Sequence, residues 1–145
     1  MENKRFKPKI DKLFWIITLP TSTLMLVLTV ISLAYSWVFA ITAAVDIFVL
    51  YFLVSPLFGY AELREKSLFI KYGLILKKDI PYDKIRAIEV SRGFYSQSMM
   101  SLKNSFEHVN IKYNRFDVTT VSVKENEKFI NFLNLKITQT RMLYH

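Results

Sequence analysis

The longest uncharged stretch of the chain constrains its fold more than any other feature. From Leu13 to Val45 the chain has no Asp, Glu, Lys or Arg, and Asp46 is the one such residue between there and Phe58. A membrane-spanning helix needs about 20 mostly apolar residues, so this region is long enough for two spans and a tight turn. A single helix of that length would exceed the bilayer about twofold. We therefore predict two transmembrane helices, near residues 13–33 and 37–57.

The residues that flank the predicted spans indicate their orientation. Residues 1–12 form a basic segment before the first span, further basic residues follow the second span, and the turn between the spans is uncharged. These basic residues are Lys4, Arg5, Lys7, Lys9 and Lys12 before the hairpin, and Arg64, Lys66 and Lys71 after it. Because positive charge is retained on the cytoplasmic side, we expect a multi-pass cell-membrane protein with both termini in the cytoplasm. The apolar run is longer than the 7–15 residues of a signal-peptide core, so we expect it to be retained.

Composition excludes several classes of function. The chain has no Cys and 3 Gly, which excludes disulfides, thiolate metal sites and Gly-rich phosphate loops. His108 and His145 do not stand at a metal-ligand spacing, and we expect His108 at the surface. The net charge of +8 would attract nucleic acid or anionic lipid, and the long uncharged block favours lipid. We therefore predict no catalytic residues, no cofactor, no metal site and no nucleic-acid partner.

One ionisable residue lies inside the predicted hairpin. Asp46 is about ten residues past the turn, close to the middle of the bilayer, and Thr42 precedes it by one helical turn. Ser22 and Thr29 share one face of the first span. A carboxylate in hydrocarbon is costly and usually faces a partner. Two interpretations stay open at this stage, a hydrogen-bonded contact that locks the hairpin and a site for a proton or ligand.

After Phe58 the hydrophobic pattern changes to a period of two, which is typical of β-strands. The pattern then changes to a helical period with an apolar stripe of Phe129, Phe132 and Leu133. We therefore predict six or seven antiparallel strands and one closing helix over residues 59–136, followed by a tail over 137–145. The predicted strands lie near residues 60–64, 68–72, 74–78, 85–90, 99–102, 109–113 and 118–123.

Short motifs in this region occur in the order and spacing of a known family. They are Leu68-x-Ile70-x-Tyr72-Gly73, Ile80-Pro81-Tyr82-x-x-Ile85-x-x-Ile88, Ser101-Leu102, Val109-x-Ile111-x-Tyr113, and Val121-Ser122-Val123-Lys124 followed by Phe129. With these motifs the chain resembles the bacterial membrane proteins with a pleckstrin-homology (PH)-like domain of the YyaB-like family. The resemblance implies an α+β membrane protein in which an N-terminal two-helix transmembrane hairpin precedes a PH-like antiparallel β-barrel closed by a C-terminal helix.

Two groups of residues on the predicted PH-like domain are candidate binding sites. Lys71, Lys77 and Lys78 flank a predicted hairpin, a position at which, by resemblance, eukaryotic PH domains hold phosphoinositide phosphates. The alternative is a solvated strand face beside an anionic membrane. Phe94 and Tyr95 lie in a loop and form either a contact for a partner or a cap on the barrel.

These observations predict a non-catalytic, membrane-anchored interaction module that faces the cytosol and serves as an adaptor for another membrane protein. A bacteriocin or envelope-stress immunity protein is one alternative, by analogy with a related PH-like membrane group. A small proton-coupled membrane subunit that uses Asp46 is another. The expected partners are the lipid bilayer and a second membrane protein, and the sequence is also compatible with a homo-oligomer.

Overall fold

The chain folds into two compact units. A computed structural model describes residues 3–93, 95–96, 98, 101–102 and 105–143. One unit is Asp11–Ser55, and the other combines Met1–Ile10 with Pro56–His145. The first unit is thus an insertion near the start of the second. The segment expected as a separate basic N-terminus belongs largely to the unit that contains the strands.

The first unit is a pair of helices, α1 (Lys12–Ser32) and α2 (Ser36–Val54). Their bounds agree with the predicted helices to within a few residues. α2 ends just before Pro56, which has no backbone N–H to continue the helical hydrogen bonds. A 3₁₀ turn covers Ser55–Phe58. The segments Lys12–Ser32 and Trp37–Phe58 are long and apolar enough to cross a bilayer by length and composition.

Large apolar side chains cover the outside of this helical pair. More than half of the surface of many of them is exposed, which would be unfavourable in water. Examples are Ile16, Ile17, Leu24, Val30, Ile31, Trp37, Ile47 and Phe48.

The second unit contains two four-stranded sheets. The first sheet is antiparallel in the order β1-β2-β3-β4, formed by Lys4–Phe6, Tyr60–Leu63, Ser67–Lys71 and Lys77–Pro81. The predicted strand at 74–78 was therefore placed too early, because β4 begins at Lys77 and residues 72–76 form the loop before it. Strand β1 was not predicted.

The second sheet has the order β5-β7-β8-β6. Its strands are Ile85–Arg92, Ser101–Leu102, Glu107–Tyr113 and Asp117–Val121, which are β5, β6, β7 and β8 in chain order. β6 runs parallel to β8 and the other pairs are antiparallel. The prediction of a closed, wholly antiparallel barrel was wrong for the described residues. A 3₁₀ turn at Tyr82–Lys84 separates β4 from β5, and these two strands remain in different sheets.

A C-terminal helix packs on the core between these strands. α3 spans Asn126–Leu143 and buries Phe129, Leu133 and Ile137, while Phe132 is partly buried against the same core. The predicted apolar stripe is thus confirmed. The helix continues through residues 137–143, where a tail was expected. The strands and the segments next to them contribute the rest of the core, including Ala61, Leu63, Leu68, Ile70, Ile80, Tyr82, Ile85, Leu102, Val109, Ile111, Val121 and Val123.

Candidate functional site

The N-terminal segment pairs with parts of the chain that come after the helical insertion in the sequence. In β1, Lys4 pairs with Leu63 and Phe6 pairs with Ala61 in antiparallel register. Directly after β1, Pro8 forms a bridge with Val123. The segment therefore hydrogen-bonds to the first sheet and then to the chain that leaves the second sheet.

Side chains reinforce this N-terminal strand. Arg5 donates to the carboxylate of Glu62 from Nε at 3.2 Å and from Nη2 at 3.0 Å, and the Glu62 side chain is only 8% exposed. Phe6 is buried, and its ring meets that of Phe129 edge-on at 5.3 Å and lies 6.5 Å from that of Phe132. Arg5, predicted to be one of the basic flanking residues, and its neighbour Phe6 are thus structural parts of the β-rich domain.

A second candidate site lies between α1 and α2. Thr29 Oγ1 donates a hydrogen bond to Asp46 Oδ2, and Ser32 Oγ lies 2.8 Å from Thr42 Oγ1. Asp46 is 6% exposed. We call these four residues the hairpin polar cluster. They link the two helices through side-chain hydrogen bonds, which are short-ranged and directional and so fix the register of the pair.

The hairpin polar cluster differs from the predicted set by one residue. Thr29 donates to Asp46, and Thr42 lies within hydrogen-bond distance of Ser32. Ser22 is half-buried and makes no hydrogen bond to another described residue of the hairpin. Ser32 takes part and was missed.

A third candidate site is the loop between β3 and β4. Lys71 and Lys77 stand directly opposite each other in the sheet, and Lys78 Nζ lies 4.8 Å from the centre of the Tyr113 ring. The predicted flanking lysines thus surround the loop. Between them stand aliphatic residues that were expected to continue a strand, and Ile75 among them is 72% exposed.

A groove runs between the edge strand β5 and helix α3. Its volume is about 210 Å³, and its walls include Ile88 and Ile130 with Arg86 and Arg141. Arg141 Nη2 donates to the backbone O of Ile85 at 3.4 Å. β5 has a strand partner on one side only, since it ends the order of the second sheet. The groove therefore combines aliphatic side chains, basic side chains and a strand edge.

The remaining predicted residues are more scattered. Tyr95 is 81% exposed, and Phe94 lies outside the residues that the structure describes. His108, expected at the surface, is 1% exposed, and its Nδ1 lies 3.2 Å from the backbone O of Phe106. The prediction for His108 was therefore wrong, because this position of β7 is on a buried part of the strand. No group of three metal-ligating residues occurs within the described part of the chain.

Two buried tyrosines have shifted acidities. Burial raises the pKa of Tyr72 to about 12, although its hydrogen bond with Thr119 acts in the opposite direction. Burial raises the pKa of Tyr82 well above its ordinary value, and its hydroxyl donates to the backbone O of Arg64 at 2.8 Å. Both phenols are neutral near pH 7, and each joins segments of the β-rich unit through a hydrogen bond.

Comparison with known proteins identifies the family of the β-rich unit. The family model for the bacterial PH domain matches residues 60–136, which run from the start of β2 into α3. No curated protein and no solved structure is similar enough to be matched to the chain. Strand β1 lies outside the matched region. The matched region covers more than half of the chain, which therefore belongs to the bacterial PH domain family.

Proposed function

We propose that the chain is a membrane-anchored, non-catalytic interaction module of the YyaB-like kind, and that it serves as an adaptor for another membrane protein. In this proposal α1 and α2 both span the bilayer, and the β-rich domain lies in the cytosol. The observation that carries the proposal is the pairing of β1 with β2, two strands that are separated in the sequence by the two apolar helices.

This pairing constrains the topology. β1 ends at Phe6 and β2 begins at Tyr60, with the helical pair between them. Two strands of one sheet must lie on the same side of a membrane. The chain between them must therefore cross the bilayer an even number of times if it crosses at all, which favours two spans over one.

The basic residues near the helices support a cytosolic location for the β-rich domain. Lys7, Lys9 and Lys12 precede α1 closely, and the turn 33–35 that joins the two helices contains no charge. Basic residues within about 15–20 residues of a span are retained in the cytoplasm. Both ends of the hairpin then lie inside the cell, and its turn lies outside.

Cysteine labelling tests this topology, because the natural chain has no cysteine. Tyr35→Cys places a thiol in the turn, where the native side chain is 64% exposed, and Leu135→Cys places one on α3, where it is 58% exposed. A membrane-impermeant maleimide should label the first variant in intact cells and the second only after lysis. Labelling of the Leu135 variant in intact cells would reject a cytosolic domain.

The β5–α3 groove is the surface proposed for the adaptor role. An edge strand can accept an extended peptide as an additional strand, and the side chains that line the groove would select among peptides. The described lining contains Arg86 and Arg141 and no acidic side chain. The proposed occupant is therefore an extended acidic segment from the cytosolic part of another membrane protein.

A pair of neighbouring positions on α3 tests the proposed groove. Asn134 lines the groove, whereas Leu135 is exposed beside it and does not line it. A photo-crosslinking residue at position 134 of the full chain should form an adduct with an integral membrane protein, and the same residue at 135 should not. Arg86→Glu should weaken the adduct through charge repulsion. Equal adducts at both positions, or no effect of the charge reversal, would reject the groove.

The hairpin polar cluster supports a structural role for Asp46 over the proton-coupled alternative. Its carboxylate accepts from Thr29, and no other Asp, Glu, Lys, Arg or His lies between Lys12 and Glu62. Proton pathways in membranes commonly use several ionisable groups in series. A single hydrogen-bonded carboxyl group suits a contact that holds two helices together.

A further inference from the structure

The edge strand β5 adjoins a second cavity besides the β5–α3 groove. This cleft has a volume of about 430 Å³ and lies beside the turn that joins β7 to β8. Its walls include Ala87, Phe116 and Val118 with Arg115, and we call it the Phe116 cleft. Arg86 and Ala87 line both the cleft and the groove. The two cavities therefore meet at the same short part of β5.

The register of the second sheet places the two cavities on opposite faces. Ile88 pairs with Ile111, a buried core residue, whereas Ala87 pairs with Lys112. Successive residues of a strand point to opposite faces of the sheet. Ile88 lines the β5–α3 groove and Lys112 lines the Phe116 cleft. The groove is therefore on the face that packs against α3, and the cleft is on the other face.

Hydrogen bonds hold the turn that forms one wall of the Phe116 cleft. Asn114 has a left-handed φ of 50°, a conformation that Asn adopts more readily than most residues. Its backbone N–H donates to the O of Lys84 at 3.0 Å, and its Nδ2 donates to Asp117 Oδ2 at 2.8 Å. Phe116 in this turn is nevertheless 84% exposed. An aromatic ring thus stands beside the cleft on an ordered support.

Two guanidinium groups at this position have no acidic partner among the residues that the structure describes. Neither Arg86 nor Arg115 takes part in a salt bridge there, and Arg115 Cζ lies 5.3 Å from the centre of the Phe116 ring. Lys112 differs, since its Nζ lies 2.5 Å from Glu89 Oε1. Guanidinium groups bind carboxylates and also stack on aromatic rings. They favour a partner that carries both kinds of group.

The two cavities differ in the side chains that they favour. On the α3 side of the groove, Arg141 stands with the polar residues Asn134 and Thr138 near aliphatic residues. That combination suits a glutamate, whose carboxylate is carried on an apolar stem. In the cleft, the small side chain of Ala87 and the exposed ring of Phe116 leave an apolar space. That space suits an aromatic side chain.

We propose that β5 recognises an alternating motif in an extended partner segment. Acidic side chains of the segment enter the β5–α3 groove, and the aromatic side chains between them enter the Phe116 cleft. A strand added to the edge of β5 presents successive side chains to opposite faces, and so one to each cavity. This inference rests on the adaptor function proposed above. It gives the partner segment a required order of residues, which an acidic composition alone does not.

Two peptides of identical composition test this order. The alternating peptide, Ser-Glu-Phe-Glu-Tyr-Ser, places both carboxylates on one face and both rings on the other when it is extended. The permuted peptide, Ser-Glu-Glu-Phe-Tyr-Ser, places one carboxylate and one ring on each face. Both carry an N-terminal fluorophore and a C-terminal amide. In fluorescence anisotropy with the full chain in phosphatidylcholine nanodiscs, the alternating peptide should bind several-fold more tightly than the permuted one.

Phe116→Ala should make the two affinities converge. It should weaken binding of the alternating peptide several-fold and that of the permuted peptide less, because only the alternating peptide presents both rings to the cleft. Leu135→Ala is the matched control, since Leu135 is exposed on α3 and lines neither cavity. It should leave both affinities unchanged. A preference for the alternating peptide that persists in Phe116→Ala would overturn the role of the cleft.

The remaining outcomes separate this inference from the function on which it rests. Equal affinities for the two peptides, both weakened by Arg86→Glu, would overturn the alternating motif and leave the β5–α3 groove as a site for acidic segments. If neither peptide binds to the wild-type chain, the motif and the acidic occupant proposed for the groove are both rejected.

Discussion

Replacing Phe6 with alanine should destabilise the β-rich domain even though this residue precedes both apolar helices. Phe6 is 5% exposed and lies 5.3 Å from Phe129 and 6.5 Å from Phe132, ring centre to ring centre. Truncating a buried phenylalanine to alanine costs about 3–5 kcal/mol. A small domain has about 5–15 kcal/mol of stability in total, so the loss would be a large fraction of it.

Hydrogen exchange measured by mass spectrometry on the full chain in nanodiscs follows this effect directly. The two tryptophans, Trp15 and Trp37, lie in the helical unit, so their fluorescence would not report on the strands. Amides of β2, β7 and α3 should exchange faster in Phe6→Ala by about a hundred- to several-thousand-fold, since about 1.4 kcal/mol corresponds to a factor of ten. Amides of α1 and α2 should change little.

Phe116 offers a matched control for this substitution. It lies between β7 and β8 and is 84% exposed, so Phe116→Ala removes the same atoms from the surface, where changes usually stay within about 0.5 kcal/mol. Similar exchange rates in β2 and α3 for the two variants would show that β1 is not part of the core. That result would also remove the topological argument that rests on β1.

Three further predictions concern other sites. Asp46→Asn retains an oxygen that can accept a hydrogen bond from Thr29, so the amount of inserted protein on immunoblots should be unchanged. Asp46→Lys provides no acceptor and should lower that amount. An Asn variant that inserts normally but loses all cellular activity would favour the proton-coupled role. Gly59→Ala forces a Cβ to within 2.1 Å of Leu102 Cδ1 and should destabilise the β-rich domain by about 1–3 kcal/mol. If this variant unfolds at the same temperature as the wild type, the close packing of Gly59 against Leu102 is contradicted. The pKa of Tyr72, raised to about 12 in the fold from an unfolded value of about 10, gives stability that is complete below pH 10 and falls as the pH rises from 10 to 12. In Tyr72→Phe, the free energy of unfolding measured by hydrogen exchange should decline less as the pH rises. The same decline in the variant and the wild type would contradict this prediction.

Local patterns in the sequence predict much of this fold. The absence of charge from Leu13 to Val45 gives both helices, since few structures other than a membrane span tolerate such a run. Alternation of apolar residues gives most strands of the second sheet, and the helical spacing of Phe129 and Leu133 gives the face of α3 that is buried. These features depend on near neighbours along the chain, which is why the sequence alone contains them.

Features that depend on distant pairing could not be predicted in the same way. Arg5 and Phe6 read as part of a basic flank, because the partners that make them a strand, such as Glu62, lie more than fifty residues away. Leu74-Ile75-Leu76 has the composition of a strand, and only the closure of the loop from Tyr72 to Leu76 places these residues at its tip. A lysine on both sides of an aliphatic triplet was the available signal for the loop.

In the proposed two-span topology, the order of synthesis makes the β1–β2 pair depend on the insertion of both helices. β1 is synthesised first, yet its partner at Ala61–Leu63 emerges only after both apolar helices. If only one of the two helices crossed the bilayer, β1 and β2 would lie on opposite sides of it. The pocket beside Phe129 that Phe6 fills would then stay open, and the incomplete domain would be a substrate for proteases. If the two helices span the bilayer as proposed, insertion of both is a condition for completing the domain, and an error in topology becomes a folding defect that the cell can detect.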